Sequence, residues 1–586
     1  MARYRRAAMA TQHVDEVVPP GTEVAARPRL AELALLRRWS SSRPALAAVL
    51  AVGVVVSWAT RWVVDDTYIT FRFSQNLAEG RGPVFNPGER VEGYTNFLWM
   101  VLNAVPHALG WDPLPFAQAA GLVAYLGIGA ATVALARRVL GDGGLVVVAL
   151  VLVAGNGTVL RFATSGMETP LAVALVLGAV VLLTDPTGRW AHRPGRLAAA
   201  SVLAGLAVLT RLDTAVVLAV WFAAWAWAAR TGPREHRPAL AAWAAASVPG
   251  IALVVPWLVW KLAYYGSVLP NTLTAKSGGV RWQMLVVGLI YLTAFVVTYG
   301  LVVLLPRAAR VRAVLAGPYR APLLAVLVLW PCYVVWVGGD WMEFRFMVMY
   351  VPFLGLAVAG LLDEVVAWWR HGLMVAVLAA ASALHVLPLP LLGVFSPSAM
   401  DSAAGQFRAV GEELQRRFPG DVDDGDRPFV AVGAAGAMVY ASELRALDVL
   451  GLTDATVART GERAKFYFPG HQIISPVEYL LRREVDFVLV MDGPIEVDPD
   501  RGAYRLSEVA QYYPIVDLRV LPRSVSVLEI PSPIGTVRAL ELRRHPDVDR
   551  LVEAGTWRRY PVEFRCDPAD ITDYLRSFGT RTCPDV

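Results

Sequence analysis

Apolar runs of about twenty residues recur from residue 43 to residue 394, divided by short polar segments. A helix rises 1.5 Å per residue, so about twenty apolar residues match the ~30 Å hydrocarbon layer of a bilayer. The pattern predicts spans near 43–61, 117–137, 144–162, 169–184, 197–210, 213–230, 238–263, 283–305, 320–338, 344–362 and 372–394. One further run, "GYTNFLWMVLNAVPHALG" at 93–110, is apolar enough to cross, but crossing there would invert every later loop. It therefore reads as a re-entrant or interface-lying helix packed on the outer side.

From about residue 399 the period changes. "RPFVAVGAAGAMVYASELRALDVLGLTD" reads as strand, Gly-rich turn, helix and strand, and "EYLLRREVDFVLVMD" as helix and strand. Such alternation predicts a small α/β domain. The expected organisation is a basic cytoplasmic segment over 1–42, a transmembrane domain over 43–398 and a soluble α/β domain over 399–586. The fold class is thus a polytopic α-helical membrane protein of about eleven spans with a C-terminal extracytoplasmic α/β domain.

Composition agrees with this pattern. The 586 residues are 56% hydrophobic and 18% charged, and the mean hydropathy is +0.46. A soluble domain is nearer half apolar and a quarter charged. The net charge of +5 does not point to nucleic acid, because much of it lies in Arg3, Arg5, Arg6, Arg27, Arg29, Arg37, Arg38 and Arg43 ahead of the first span. That is the flank expected on the cytoplasmic side, and the run that follows reads as an anchor, not a cleaved signal. The loops "TDPTGRWAHRPGR", "RTGPREHRP", "PRAARVRAVLAGPYR" and "WWRHG" are basic and are expected to share that side. Cys332 reads as a small buried hydrophobe in a span. Cys566 and Cys583 lie in a polar region and form a candidate disulfide if that region is extracytoplasmic.

The alternate loops then face outward, and they carry chemistry that a connector does not need. They hold Asp65, Asp66, Arg72 and Glu92 in the first loop, Arg161 and Glu168 in the next, then Arg211 and Asp213, Asn271 and Lys276, and Asp340, Glu343 and Arg345. Cations for a phosphate and a carboxylate to accept a proton are what an anionic lipid-linked substrate requires. Taken singly, each has a plain structural account: an Asp at a helix end caps it or is solvated, and Lys276 or Arg345 serves as an interfacial anchor. Two adjacent carboxylates repel, which suits one of Asp65 and Asp66 to base chemistry. Glu92, Asn271 and Asp340 are candidate substrate contacts. No P-loop, HExxH, zinc spacing or G-x-S-x-G elbow occurs, so ATP-driven transport and zinc hydrolysis lose ground.

The stretch "DDTYITFRFSQNLAEGRGPVFNPGERVEGYTNFLW" resembles the first outer loop of the GT-C superfamily of membrane glycosyltransferases. It is most similar to the actinobacterial branch of terminal β-(1→2) arabinofuranosyltransferases, a branch that also holds motor-control proteins named ZomB. "TSGMET", "YYGSVLPNTLTAKSG", "GGDWMEFRF" and "YASELRALDVLGLTD" resemble further pieces of that branch in the same order, so the likeness runs from about residue 60 to 455. The resemblance implies an outer, juxtamembrane active site and a polyprenyl-phosphate sugar donor. It implies that the first-loop acid, Asp65 narrowly before Asp66, is the base or positions the acceptor hydroxyl. Lys276 and Arg345, with Arg72 as a further candidate, would hold the donor phosphate. Glu168 would contact the acceptor or a metal, although no spacing requires a metal or other cofactor.

The expected function is therefore arabinofuranosyl transfer from decaprenyl-phospho-arabinose to a cell-wall arabinan at the outer face of the plasma membrane. The alternatives are transfer of mannose or another sugar to protein or lipid, a transporter of lipid-linked sugars, and a non-catalytic membrane scaffold. Ionisable residues gather at span ends and not at mid-span, which favours an enzyme over a transporter.

Overall fold

The apolar runs fold as helices. The computed structural model describes residues 43–184, 193–231, 239–276, 281–304, 311, 315, 318–363, 395–463, 469–470, 473–489, 494–506, 508–509 and 520–564. α1 (Arg43–Ala59), α2 (Asp65–Ala78) and α3 (Phe97–Ala108) are followed by α4 (Pro113–Val139), α5 (Gly144–Ala154) and α6 (Gly157–Phe162). Then come α7 (Thr169–Leu183), α8 (Pro194–Thr210), α9 (Thr214–Thr231), α10 (Leu240–Tyr265) and α11 (Asn271–Lys276). α12 (Arg281–Thr298), α13 (Arg320–Trp336) and α14 (Val351–Asp363) complete the helical part, with a 3-10 turn at Arg345–Met349. Among the described residues α4, α9, α10 and α12 are long and apolar enough to cross a membrane, and α1, α3, α5, α7, α8, α13 and α14 are shorter apolar helices. The expected span at 372–394 and the Cys566–Cys583 pair lie outside the described residues.

The expected span 144–162 is broken at Gly155–Asn156. The Asn156 side chain accepts the amides of Thr158 and Val159 at 3.1 and 3.3 Å, satisfying orphan donors and starting α6 anew. α3 has 12 residues, about 18 Å of helix, which is short of the hydrocarbon thickness. It packs against α2 instead. α8 and α10 approach closely through small residues: a Cβ on Gly205 would stand 3.1 Å from the Gly250 Cα, the packing that apolar solvent favours. Trp58 and Trp336, at the C-terminal ends of α1 and α13, and Trp282, at the N-terminal start of α12, are exposed, and Trp is the residue enriched in interfacial belts. Cys332 is exposed on α13, contrary to the buried position expected. On a helix of this kind the outward face is as apolar as the core, so hydropathy does not separate the two.

α15 (Pro397–Arg417) starts where Ser396 accepts the Ala399 amide, and its Met400, Ala404, Val410 and Leu414 form one buried stripe. Beyond it lie β1 (Val430–Val432), α16 (Ala437–Ser442), β2 (Ala446–Asp448), α17 (Ala455–Thr460), β3 (Glu462–Arg463), β4 (Ile473–Ile474), α18 (Val477–Arg482) and β5 (Phe487–Leu489). β6 (Tyr504–Arg505), β7 (Ser526–Ser532), β8 (Gly535–Glu541), α19 (Pro546–Glu553) and β9 (Arg558–Glu563) follow. The main sheet has the order β2-β1-β5-β8-β7-β9-β6. β2, β1 and β5 are parallel, whereas β5–β8, β8–β7 and β7–β9 are antiparallel.

Alternation along β1 divides the domain core. Val430 and Val432 face Val410 and Leu414 of α15, while Ala431 faces Val457, Val477 and Leu480. The first of these clusters continues into Ile69 and Phe73 of α2 and into Phe85 and Tyr94 of the following segment. Each such buried side chain contributes roughly 1.5–3 kcal/mol. The α/β domain is therefore not a lobe on a tether; its core is shared with the segment that follows α1.

Candidate functional site

α2 begins with Asp65 and Asp66 in its first turn, where carboxylates favour the positive end of the helix dipole. Adjacent residues on a helix point about 100° apart, so the two carboxylates have different surroundings. Asp65 turns toward the α/β domain, and its Oδ1 and Oδ2 accept the amides of Ala437 and Gly436 at 2.7 and 3.1 Å. Burial raises its carboxyl to about 7 despite these bonds. A Cβ on Gly436 would stand 2.0 Å from the Asp65 carbonyl oxygen, so the contact needs glycine. Asp66 lines a cavity of about 60 Å3 and makes no hydrogen bond or ion pair among the described residues.

The cavity is assembled from every pocket-side segment. α2 supplies Asp66 and Thr70, the segment before α3 supplies Tyr94 and Asn96, and the loop before α7 supplies Glu168. α11 supplies Thr272 and Lys276, the 3-10 turn supplies Arg345, and the α/β domain closes it with Leu452. Lys276 has no ion pair among the described residues. Among the described residues, the cavity thus carries a carboxylate and an ammonium without partners.

Its back wall is an ion-pair hub. Glu168 Oε1 accepts from Arg211 and Arg345, each at 2.8 Å, and its Oε2 accepts from Asn96 at 3.0 Å. Burial alone would raise the Glu168 carboxyl, but Arg345 and Arg211 hold it at about 2. Arg211 also pairs with Asp213 at 2.6 Å. Arg345 is thereby fixed, with Nε 3.4 Å from the Thr169 hydroxyl. With three donors already on its oxygens, Glu168 does not fit the role of a ligand to a hard cation, which takes carboxylates free of competing cations. Among the described residues no three His, Cys, Asp or Glu side chains gather as a metal site.

Asp340 is 8% exposed, and among the described residues its Oδ2 has no hydrogen-bond partner. Burial raises its carboxyl, with Arg345 and Lys276 close enough to act against that rise. Thr272 Oγ1 and Asn96 Oδ1 are likewise buried without partners, and both residues line the cavity. Unpaired buried polar atoms are costly, and those of Thr272 and Asn96 belong to residues of the cavity wall.

Asp340 does not itself line the cavity, and four further expected site residues lie elsewhere. Asp65 is the clamp just described and does not line the cavity. Arg72 is buried, its guanidinium donating to the carbonyls of Phe85 and Leu444 at 3.2 and 3.1 Å, which burial alone favours over phosphate contact. The Asn271 amide donates to the carbonyls of Gly451, Leu452 and Asp454, so it docks α11 on the α/β domain. Glu92 forms a buried pair with Lys261 at 2.8 Å, burial raising its carboxyl to about 7 against that cation. Conversely Asn96, Thr272 and the hub role of Arg211 were not singled out. Only the polar letters inside "GYTNF" and "PNTLTAK" signal the first two.

A family model described as a domain of unknown function, DUF8728, matches residues 399–531. The chain is 31% identical over 306 residues to the terminal β-(1→2)-arabinofuranosyltransferase of Mycobacterium tuberculosis, covering 49% of this chain and 46% of that protein. It is 29% identical over 363 residues to the enzyme of the same name from Corynebacterium glutamicum, covering 52% and 48%. The matched part spans about half the length of these curated relatives. Among solved structures it is similar to ArnT from Cupriavidus metallidurans bound to undecaprenyl phosphate, with 13% identity and a TM-score of 0.52 over 79% of this chain and 93% of that one. That likeness shows a shared helical membrane-protein fold.

Proposed function

We propose that this chain is a polyprenyl-phosphate-sugar-dependent glycosyltransferase that moves arabinofuranose from decaprenyl-phospho-arabinose to a cell-wall arabinan. The observation that carries this reading is the cavity lined together by Asp66 and Lys276, both without partners among the described residues, and by an Arg345 anchored on Glu168. The names of the two curated relatives support the sugar, and the undecaprenyl phosphate of the ArnT structure supports the class of donor.

In the reaction, the bond from the anomeric carbon to the phosphate oxygen breaks, and its electron pair leaves with the polyprenyl phosphate. Lys276 and Arg345 stabilise that charge. The acceptor hydroxyl oxygen bonds to the anomeric carbon and its proton passes to Asp66. Thr272 and Asn96 offer an unpaired hydroxyl and an unpaired carbonyl to sugar hydroxyls, and Glu168 acts through Arg345 as a positioning residue. Asp340 lies behind this set as a further polar contact.

About eleven spans with the cavity and the α/β domain on the outer face complete the reading. The basic ends at Arg137, Arg138, Arg193, Arg230 and Arg320 lie at the opposite helix ends from the cavity, which supports that orientation under the positive-inside rule. Purified protein given a panel of polyprenyl-phosphate sugars with a short arabinan tests the proposal. Consumption of the arabinosyl donor with growth of the glycan is expected; no consumption of any donor would overturn it.

A further inference from the structure

A second cavity, of about 450 Å3, lies between α1, the α5–α6 break, α12 and α14, and it shares no lining residue with the Asp66 cavity. Its size falls within the roughly 300–1,000 Å3 of small-molecule sites. Val151, Phe295 and Leu354 make its walls apolar, and Val56 both lines it and is 39% exposed. Val52 and Val55 stand out from the same side of α1 at 62% and 67% exposure, so the cavity opens toward the lipid-facing surface.

Polar groups of the cavity come from Thr60, Asn156, Arg161 and Tyr299. Asn156 is committed to the cap of α6, and the Tyr299 hydroxyl accepts the Thr158 amide at 2.9 Å. Arg161 differs. Its carbonyl accepts the Trp62 indole at 2.7 Å, but its guanidinium has no ion pair or hydrogen bond among the described residues. A guanidinium against hydrocarbon without a counter-charge is costly, and a planar fork of this kind matches a phosphate. Thr60, at the exposed end of α1 beside Arg61 and the belt residue Trp58, puts this mouth at headgroup depth.

We infer that this cavity is a second lipid site that takes a single-chain lipid monophosphate, with the phosphate on Arg161 and the first hydrocarbon units between α1, α12 and α14. A volume of about 450 Å3 is that of one small-molecule site, which favours a single chain over the two of a phospholipid. The chemical class rests on the cavity alone. Its identity as polyprenyl monophosphate rests on the transfer proposed above, which releases one such molecule at each turnover and requires its removal before the next donor binds.

The test is photolabelling of the full-length protein in detergent with a diazirine-bearing C15 prenyl monophosphate, followed by peptide mapping. Label is expected on α6 and α14, displaced by excess unlabelled prenyl monophosphate but not by the prenyl alcohol or by phosphatidylglycerol. Arg161→Gln lowers it about tenfold or more, the loss expected for a charged hydrogen-bonding partner. Thr60→Trp, at the exposed mouth, lowers it by occlusion with an unchanged melting temperature, and Lys276→Gln leaves it intact. Displacement by the alcohol or by oleate as effective as by the phosphate, label unmoved by Arg161→Gln, or no label on α6 and α14 because another segment of the chain fills the space would each overturn the assignment. Wild type that labels here yet consumes no sugar donor sinks the transferase proposal and leaves the single-chain lipid monophosphate site standing.

Discussion

The segment from Trp62 to Asn96 presents similar polar side chains on two faces, and they are treated in opposite ways. On the face toward the α/β domain, three of them are satisfied by backbone. Asp65 takes the amides of Gly436 and Ala437, Asn86 exchanges bonds with Ala446 at 2.8 and 3.2 Å, and Arg72 donates to Leu444. On the cavity face, among the described residues, Asp66 has no partner and Asn96 keeps an unpaired oxygen. A buried polar group that is fully satisfied specifies one packing, whereas an unsatisfied one carries a standing cost that a ligand can relieve. The difference separates the two adjacent aspartates, which residue type and position could not.

Changes that remove one side of this contrast rank by size. Asp66→Asn is expected to lower turnover by about 10²–10⁴-fold, the range for loss of a general base, with an unchanged melting temperature. A melting shift in place of a rate loss would move Asp66 to the docking face. Glu168→Gln strands Arg345 beside a neutral amide and leaves Arg211 with Asp213 alone, at a cost of about 3–5 kcal/mol for breaking a buried pair, read as a large fall in melting temperature. Because the Glu168 carboxyl is held at about 2, below its ordinary 4.5, its contribution is present above pH 4.5. It is lost as the pH falls through 2.

Gly436→Ala drives a methyl group into Asp65 and is expected to cost about 1–3 kcal/mol as overpacking, loosening the α/β domain to proteolysis before the bundle melts. Asp65 carries the opposite pH sign to Glu168. Its carboxyl is raised to about 7 from 3.8, so its contribution is fully present below pH 3.8 and fades as the pH rises through 7. Asp65→Asn is expected to abolish that part of the pH dependence of melting and to lose about 1 kcal/mol for one amide bond. The smallest effect belongs to Thr272→Val, which removes one hydroxyl from the cavity. It is expected to raise the donor KM by about two- to tenfold, a single neutral hydrogen bond, without moving the melting temperature.

Much of this was legible in the residue pattern, and the reasons are local. Span-length apolar runs announce helices because every backbone group in hydrocarbon must be paired within its own segment. The alternation in "FVAVG" and "DFVLV" announces β1 and β5 because a strand turns successive side chains to opposite faces. Lys276, Arg345 and Glu168, which the structure brings to one cavity, stand out in the sequence because charge at a span end is conspicuous. Arg72, Asn271 and Glu92 were equally conspicuous and met backbone carbonyls or Lys261 instead.

What the sequence determined by itself is the solvent of each segment: which stretches meet lipid, which form a sheet, and on which loops charge collects. Only the tertiary structure decided which of those charges are satisfied, because the partners lie hundreds of residues away. Gly436 stands 371 positions from Asp65 and Arg345 stands 177 from Glu168. Hydrogen-bond satisfaction is a property of distances of about 3 Å, and no one-dimensional pattern contains them.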